Sequence, residues 1–337
     1  MYRNLPERIG HCLITGSLLL ASLPTHAAEP AQFSGYIDAM YVANSSITTG
    51  PENTFNTEAE ADASGYLHDI SGRIDLDMDK NGQISVEQVF GSWVANEQFT
   101  LNGGRMNSPL GLEKEDRPNL LDSITHGLIY RELDAQSPTL PGNNLDGVTG
   151  DFDMEIGTLT LGIIDEPHSV PEKNAYLVSA VLAPNEMVEI ELNYLSQEDP
   201  TTTELTSAGD NKSLAGLSYG DMGDINVTVT LANLTLAAEV ASGTEVVNLM
   251  WGIHGILDMT DRLSGAIRYE SVNFDSLPTS TTGVSYSRKD LTQWTVSGTV
   301  ALTDRLDMVG EISILDNGSV ESKSGLLDFV LTLGDYN

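Results

Sequence analysis

Residues Asp77-Met78-Asp79-Lys80-Asn81-Gly82-Gln83-Ile84-Ser85 follow the first nine positions of an EF-hand calcium loop. Alternate oxygen ligands would curl around a hard cation there, and Gly82 would permit the sharp turn. Position twelve, however, is Gln88, with the acid one place early at Glu87. The flanks alternate with period two rather than reading as helices, and a Lys-Asn-Gly hairpin accounts for the same residues. Asp77, Asp79 and Asn81 therefore remain weak calcium candidates, and neither a resident metal nor a cofactor is expected.

Other chemistry-like patterns lack the context they need. Gly216-Leu217-Ser218-Tyr219-Gly220 matches a nucleophile elbow, which works only where a strand turns sharply into a helix. Here a turn at Asp221–Asp224 and another strand are expected instead. His68, His126, His168 and His254 are scattered, with no pair at metal-ligand spacing. The one cysteine, Cys12, lies in an N-terminal leader, so no thiolate chemistry is expected beyond it. No catalytic residue is assigned, and no enzyme is expected.

The charged residues with the most to offer are Arg73, Asp75, Asp77 and Asp79, which recur at every second position, and Arg105, Glu113, Glu115, Asp116 and Arg117. Lining an aqueous path, the first group would set its charge. A second group folded inward would form a constriction. Carboxylate rings favour cations, and interspersed arginines set a transverse field.

Positioning them falls to strands. From Asp69 to Asp79, Ile70, Gly72, Ile74, Leu76 and Met78 alternate with polar residues, which gives one apolar and one charged face. The same period predicts strands near 31–44, 66–79, 83–95, 98–107, 125–134, 147–156, 158–165, 175–183, 187–196, 212–220, 225–241, 244–258, 262–274, 289–302, 306–315 and 324–336. That is about sixteen, within roughly fourteen to eighteen. A change of phase near Asn233 predicts a bulge in 225–241. Tight turns are expected at Lys80-Asn81-Gly82, Pro184-Asn185-Glu186, Thr260-Asp261-Arg262 and Thr303-Asp304-Arg305. Long polar loops are expected at 45–65, 135–146, 166–174, 197–211, 275–288 and 316–323, carrying Glu58, Glu60, Asp62, Glu198 and Asp199. Short and long connections that alternate describe an up-and-down barrel. The segment 107–124 breaks this rhythm, being long on the short-turn side. Either the count slips early or the segment folds inward.

The predicted fold is therefore all-β, a transmembrane antiparallel up-and-down barrel. About sixteen strands enclose a lumen too wide for side chains to fill, so the carboxylate face meets water and the apolar face meets lipid. Trp93, Trp251, Trp294, Tyr41, Tyr194, Tyr219 and Tyr269 are candidates for the membrane interfaces. Residues 1–28 read as a cleaved signal peptide: Arg3 and Arg8, the apolar run Leu13–Leu23, then Thr25-His26-Ala27. Residues 29–337 then form a single barrel domain. The chain holds 49 acidic against 16 basic residues, a net charge of −33. Such a surface repels phosphate backbones, which argues against nucleic acid as a partner.

Residues 98–150 carry a more particular pattern. Leu101-Asn102-Gly103-Gly104-Arg105-Met106-Asn107-Ser108-Pro109-Leu110-Gly111-Leu112-Glu113 is followed by Asn119, Ser123 and Leu145-Asp146-Gly147-Val148. This stretch resembles the OmpL-like (porin-2 type) β-barrel porins of Gram-negative outer membranes. The resemblance implies an outer-membrane channel for passive diffusion of small hydrophilic solutes, and the chain's charge would favour cationic or neutral ones. Partners then expected are outer-membrane lipid, the barrel assembly machinery and, in a homotrimer, two further copies. The alternative is an acidic calcium-binding β-protein or adhesin at the cell surface. One departure is the ending Phe329-Val330-Leu331-Thr332-Leu333-Gly334-Asp335-Tyr336-Asn337, in which the last aromatic is penultimate.

Overall fold

Period-two alternation becomes strand along most of the chain. The computed structural model describes residues 31–46, 50–114, 123–134, 143–165, 173–197, 219–275, 289–319 and 321–334. The strands are β1 (Gln32–Ser46), β2 (Gly50–Leu67), β3 (Ile70–Met78), β4 (Ile84–Asn96), β5 (Phe99–Asn107), β6 (Asn144–Met154), β7 (Gly157–Asp165), β8 (Asn174–Asn185), β9 (Val188–Ser196), β10 (Met222–Leu231), β11 (Leu234–Gly243), β12 (Val247–Thr260), β13 (Leu263–Phe274), β14 (Leu291–Ala301), β15 (Leu306–Asp316) and β16 (Glu321–Leu333). Each pairs with its sequence neighbours, and β1 closes the ring on β16. One helix, α1 (Leu128–Asp134), lies between β5 and β6.

The strand count agrees with the sequence, but through compensating differences. β2 falls where a long polar loop was expected. Its inward positions are Glu58, Glu60 and Asp62, and its outward ones are Ala59, Ala61, Ala63 and Gly65. Small outward residues carry little apolar signal, so the alternation reads as polar loop. Glu58, Glu60 and Asp62 thus belong to the barrel wall and not to a loop. Residues 225–241 form two strands, β10 and β11, joined by Ala232-Asn233. Ala232 takes a left-handed φ of 55°, a place where Gly or Asn is the usual signal. Ala232→Gly should therefore raise the unfolding midpoint in denaturant, by about 0.5–1 kcal/mol of stability once glycine's own entropy is subtracted.

In the other direction, the strand expected at 125–134 is largely α1, and 212–220 gives none among its described residues, Tyr219 and Gly220. The turn expected at Asp221–Asp224 is mostly the start of β10. With β2 counted, one rim carries tight turns at 68–69, 97–98, 155–156, 186–187, 232–233, 261–262 and 302–305. The other carries 108–143, 166–173, 197–221 and 275–290, but also the short β1–β2, β3–β4, β11–β12 and β15–β16 connections. The tight Lys80-Asn81-Gly82 turn therefore lies on this rim, and the long loop expected at 316–323 is short because β15 runs to Asp316 and β16 starts at Glu321. The two Thr-Asp-Arg turns are equivalent, as expected. The segment 107–124 sits on the long-loop rim, and its described part does fold inward.

The inward segment makes a core within the barrel mouth. Leu110, Leu128, Ile129 and Leu133 pack against Leu145, Ile164, Leu177, Leu195, Met222, Met250 and Val272 from the inner wall. A smaller cluster sets Ile124 against Met40 and Val309. On the outer face, aromatic side chains fall near both rims. Tyr41 packs on Phe55, and Tyr269 packs on Trp251 and Trp294, near the long-loop rim. Phe99 packs on Phe152, and Trp93 Nε1 donates to Asp69 Oδ2 at 2.8 Å, near the short-turn rim. Two aromatic belts flanking an apolar band are what two water–lipid interfaces select. Tyr219 is the exception: it is fully buried inside, with its hydroxyl donating to Glu132 at 3.2 Å.

Candidate pore constriction

Strand register decides which charges share the lumen. On β3, Ile70 and Ile74 are exposed on the outer face, while Arg73, Asp75 and Asp77 point inward. Adjacent β2 sets Asp62 opposite Asp75 and Glu60 opposite Asp77, and β1 sets Asp38 opposite Glu58. The result is a ladder of carboxylates on β1–β3, with Arg73 Nε donating to Asp75 at 2.9 Å. A bulge on β4 turns both Glu87 and Gln88 inward beside it.

Along the rest of the ring, from β9 round to β15, the wall holds the inward segment. Asp224 Oδ2 accepts from Gly111 N (2.9 Å), and Glu239 Oε1 from Leu112 N (3.0 Å). Glu311 accepts from Ile124 N (2.7 Å) and Thr125 N (3.1 Å). Glu270 accepts from Leu128 N (2.9 Å) and Ile129 N (3.2 Å), satisfying the first amides of α1 from outside the helix. Lys114 Nζ reaches Glu191 at 2.5 Å. Arg131 donates to Gln293. The amides of Gly111, Leu112, Ile124, Leu128 and Ile129 are buried, so each depends on its wall carboxylate.

Arg268 on β13 is the clamp of this arrangement. It lies 2.6 Å from Glu113 and 3.1 Å from Glu270, and also donates to Thr125 O at 3.0 Å. Glu113 in turn accepts from Gly127 N at 2.5 Å. Gly127 has no room for a side chain, because a Cβ there would run into Glu270 Oε1. Burial would raise the Glu113 carboxyl, but Arg268, with His126 and His254, outweighs it and brings it down to about 2. A carboxyl depressed in the folded state contributes stability above its ordinary value near 4.5, lost as pH falls toward 2. Hydrogen exchange at Gly127 and Leu128, corrected for intrinsic rates, should therefore stay constant from neutral pH to about 4.5 and accelerate below it.

The sequence candidates are distributed as follows. Arg73, Asp75 and Asp77 share the inner face. Asp79 sits in the rim turn, where it accepts from Asn81 N and Gln83 N, both at 2.8 Å, with Gly82 at φ 75°. Those bonds hold its carboxyl below the usual range. The calcium-loop spacing is thus built as a hairpin between β3 and β4. Arg105 is in register with Val89 and Asp146, on the outward face that carries Leu101 and Val148. There it pairs with Asp146 at 3.0 Å. Glu113 is buried in the clamp. Glu115, Asp116 and Arg117 lie outside the described residues. Asp224, Glu239, Arg268, Glu270 and Glu311 went unnoticed in the sequence. The signal was there in Arg268 and Glu270, two charges spaced by two in a strand with no other charged residue.

A search of solved structures returns bacterial outer-membrane channels. The anion-selective porin from Comamonas acidovorans aligns with a TM-score of 0.63 at 7% identity, covering 90% of this chain and 99% of that one. OprB of Pseudomonas putida aligns at 0.62 and 8% identity, covering 90% and 94%. This is the porin fold. OmpT, an outer membrane protein of Vibrio cholerae in its trimer form, aligns at 0.60 and 10% identity, covering 90% and all of that chain. No protein-family model matches the sequence, and no curated protein does. In this version of the porin fold, an acidic wall on β1–β3 shares the lumen with an inward segment held by carboxylates on β9 to β15.

Proposed function

We propose that this chain is an outer-membrane channel of a Gram-negative bacterium that passes small hydrophilic solutes by passive diffusion, favouring cationic or neutral ones. The observation that carries it is the Asp38, Glu58, Glu60, Asp62, Asp75 and Asp77 ladder on the inner faces of β1–β3. Carboxylates lining an aqueous path lower the energy of cations and raise that of anions. The Comamonas porin is anion-selective, so on this proposal the two share a fold and differ in the sign of ion they favour. The apolar band between two aromatic belts supports insertion in lipid, and residues 1–28 would direct export before residues 29–337 meet the assembly machinery. No covalent chemistry is assigned to it.

A homotrimer belongs to the same proposal. Gly65, Gly72, Gly91 and Gly103 stand in register across the outer faces of β2–β5, beside Ala59, Ala61 and Ala63. Small residues let another barrel approach closely within lipid. Sedimentation in detergent should give a mass of three barrels. The channel itself is tested by liposome swelling. Vesicles carrying the protein should swell in small neutral sugars and in lysine, and more slowly in glutamate. Swelling no faster than that of protein-free vesicles would remove the proposal.

A further inference from the structure

Glu60 and Asp62 of β2 and Asp75 of β3 bring three carboxylates together on the inner wall, with one oxygen from each within 4.8 Å of the others. Asp62 stands directly opposite Asp75, and Glu60 directly opposite Asp77. Like charges facing one another across a ladder repel, so two such rungs in succession oppose strand pairing unless something neutralises them. Arg73 answers Asp75, from 2.8 Å to Oδ2 and 2.9 Å to Oδ1. Ser34 Oγ donates to Asp62 Oδ2 at 3.0 Å.

A second observation is separate from the clustering. Asp62 is only 6% exposed, and its Oδ1 is enclosed with no hydrogen-bond partner. Asp75 is wholly buried, and its Oδ2 has no hydrogen bond, only the Arg73 ion pair. The Asp62 Oδ1 thus lacks both a donor and a counter-charge, and a bound cation would supply the missing partner.

We infer that Glu60, Asp62 and Asp75 form a divalent-cation site in the lumen wall, taking calcium. The ligands are all hard oxygens, which suit calcium or magnesium and not the thiophilic or imidazole-seeking metals. Calcium accepts six to eight oxygens in loose geometry, so three carboxylates from two rigid strands can be completed by lumen water. Magnesium demands a tighter octahedron, which strands fixed by their ladder are less able to supply. The site is distinct from the rim turn at Asp79, whose carboxylate is already engaged by backbone amides. It would also neutralise part of the acidic ladder, so calcium would modulate the proposed channel while the site itself exists whether or not the barrel conducts.

The test is calorimetric titration of calcium chloride into the full barrel in detergent, after chelator treatment, in about 0.1 M potassium chloride. The wild type should show one saturable site. Glu60→Gln and Asp62→Asn should each weaken it at least tenfold, while Asp79→Asn should leave it unchanged. Heat-modifiable migration on gels certifies that each variant is folded, and where only one of the two wall variants folds, that one decides the matter. Absence of saturable binding in the wild type would overturn the site, as would binding that survives both wall variants or that is lost in Asp79→Asn. Because binding is read in detergent, failure here leaves the channel proposal standing, and failure to conduct leaves this one standing.

Discussion

Arg268→Ala should free the inward segment from the wall while leaving the barrel closed. Arg268 holds Glu113 at 2.6 Å and Glu270 at 3.1 Å, all three almost fully buried. Removing the guanidinium leaves two buried carboxylates facing each other, a loss of about 3–5 kcal/mol by analogy with other broken buried pairs. That penalty is avoided if Glu113 swings toward water, and the segment must move with it, since Gly127 N is tied to Glu113 Oε2. No strand–strand bond runs through Arg268's side chain, so gel mobility of the folded barrel should persist. Single-channel recordings should show larger and noisier steps than wild type. The double variant Glu113→Gln/Arg268→Met, which removes both charges, should recover part of the quiet behaviour. Arg105→Ala, on the outer face, should not change conductance at all. Unchanged steps in Arg268→Ala would show that the segment is not held by this clamp.

That clamp illustrates what the sequence could and could not convey. The strands were legible wherever large apolar residues alternate with polar ones, as in β3 with Ile70, Ile74 and Leu76. β2 was not, because alanine and glycine face outward at its alternate positions, and the pattern then looks like an acidic loop. α1 was read as a strand because Ile129 and Leu133 face the wall in a helix of only seven residues, too short to establish a period. Arg73, Asp75 and Asp77 could be assigned to one face from spacing alone. The partnership of Glu113 with Arg268 could not, because 155 residues separate them and only closure of the ring brings them together. Arg105 points outward, although its sequence neighbours belong to the motif that leads into the lumen. Strand parity assigns a face within one strand, but which face is inside depends on the neighbours.

The second large expectation concerns charge. Neutralising Asp38, Glu58 and Asp77 together, as Asp38→Asn, Glu58→Gln and Asp77→Asn, should lower the ratio of cation to anion permeability about four- to fivefold. The figure follows from Coulomb's law: a unit charge about 10 Å from a passing ion in water is worth about 0.4 kcal/mol, cut to about 0.15 by one Debye length of screening. The sign is opposite for cation and anion, so three charges together shift the ratio by about 0.9 kcal/mol. The effect should grow as salt is diluted and vanish near 1 M, where the Debye length falls to about 3 Å. Equal selectivity in wild type and variant at low salt would mean that permeating ions do not pass this wall.

All of this turns on an acidic lumen that conducts. The most direct measurement is the reversal potential of the purified barrel in a planar bilayer with a tenfold potassium chloride gradient. Discrete steps whose reversal potential lies toward the potassium equilibrium potential are the predicted result. A reversal potential on the chloride side, or a bilayer that the folded barrel enters without conducting, would contradict it.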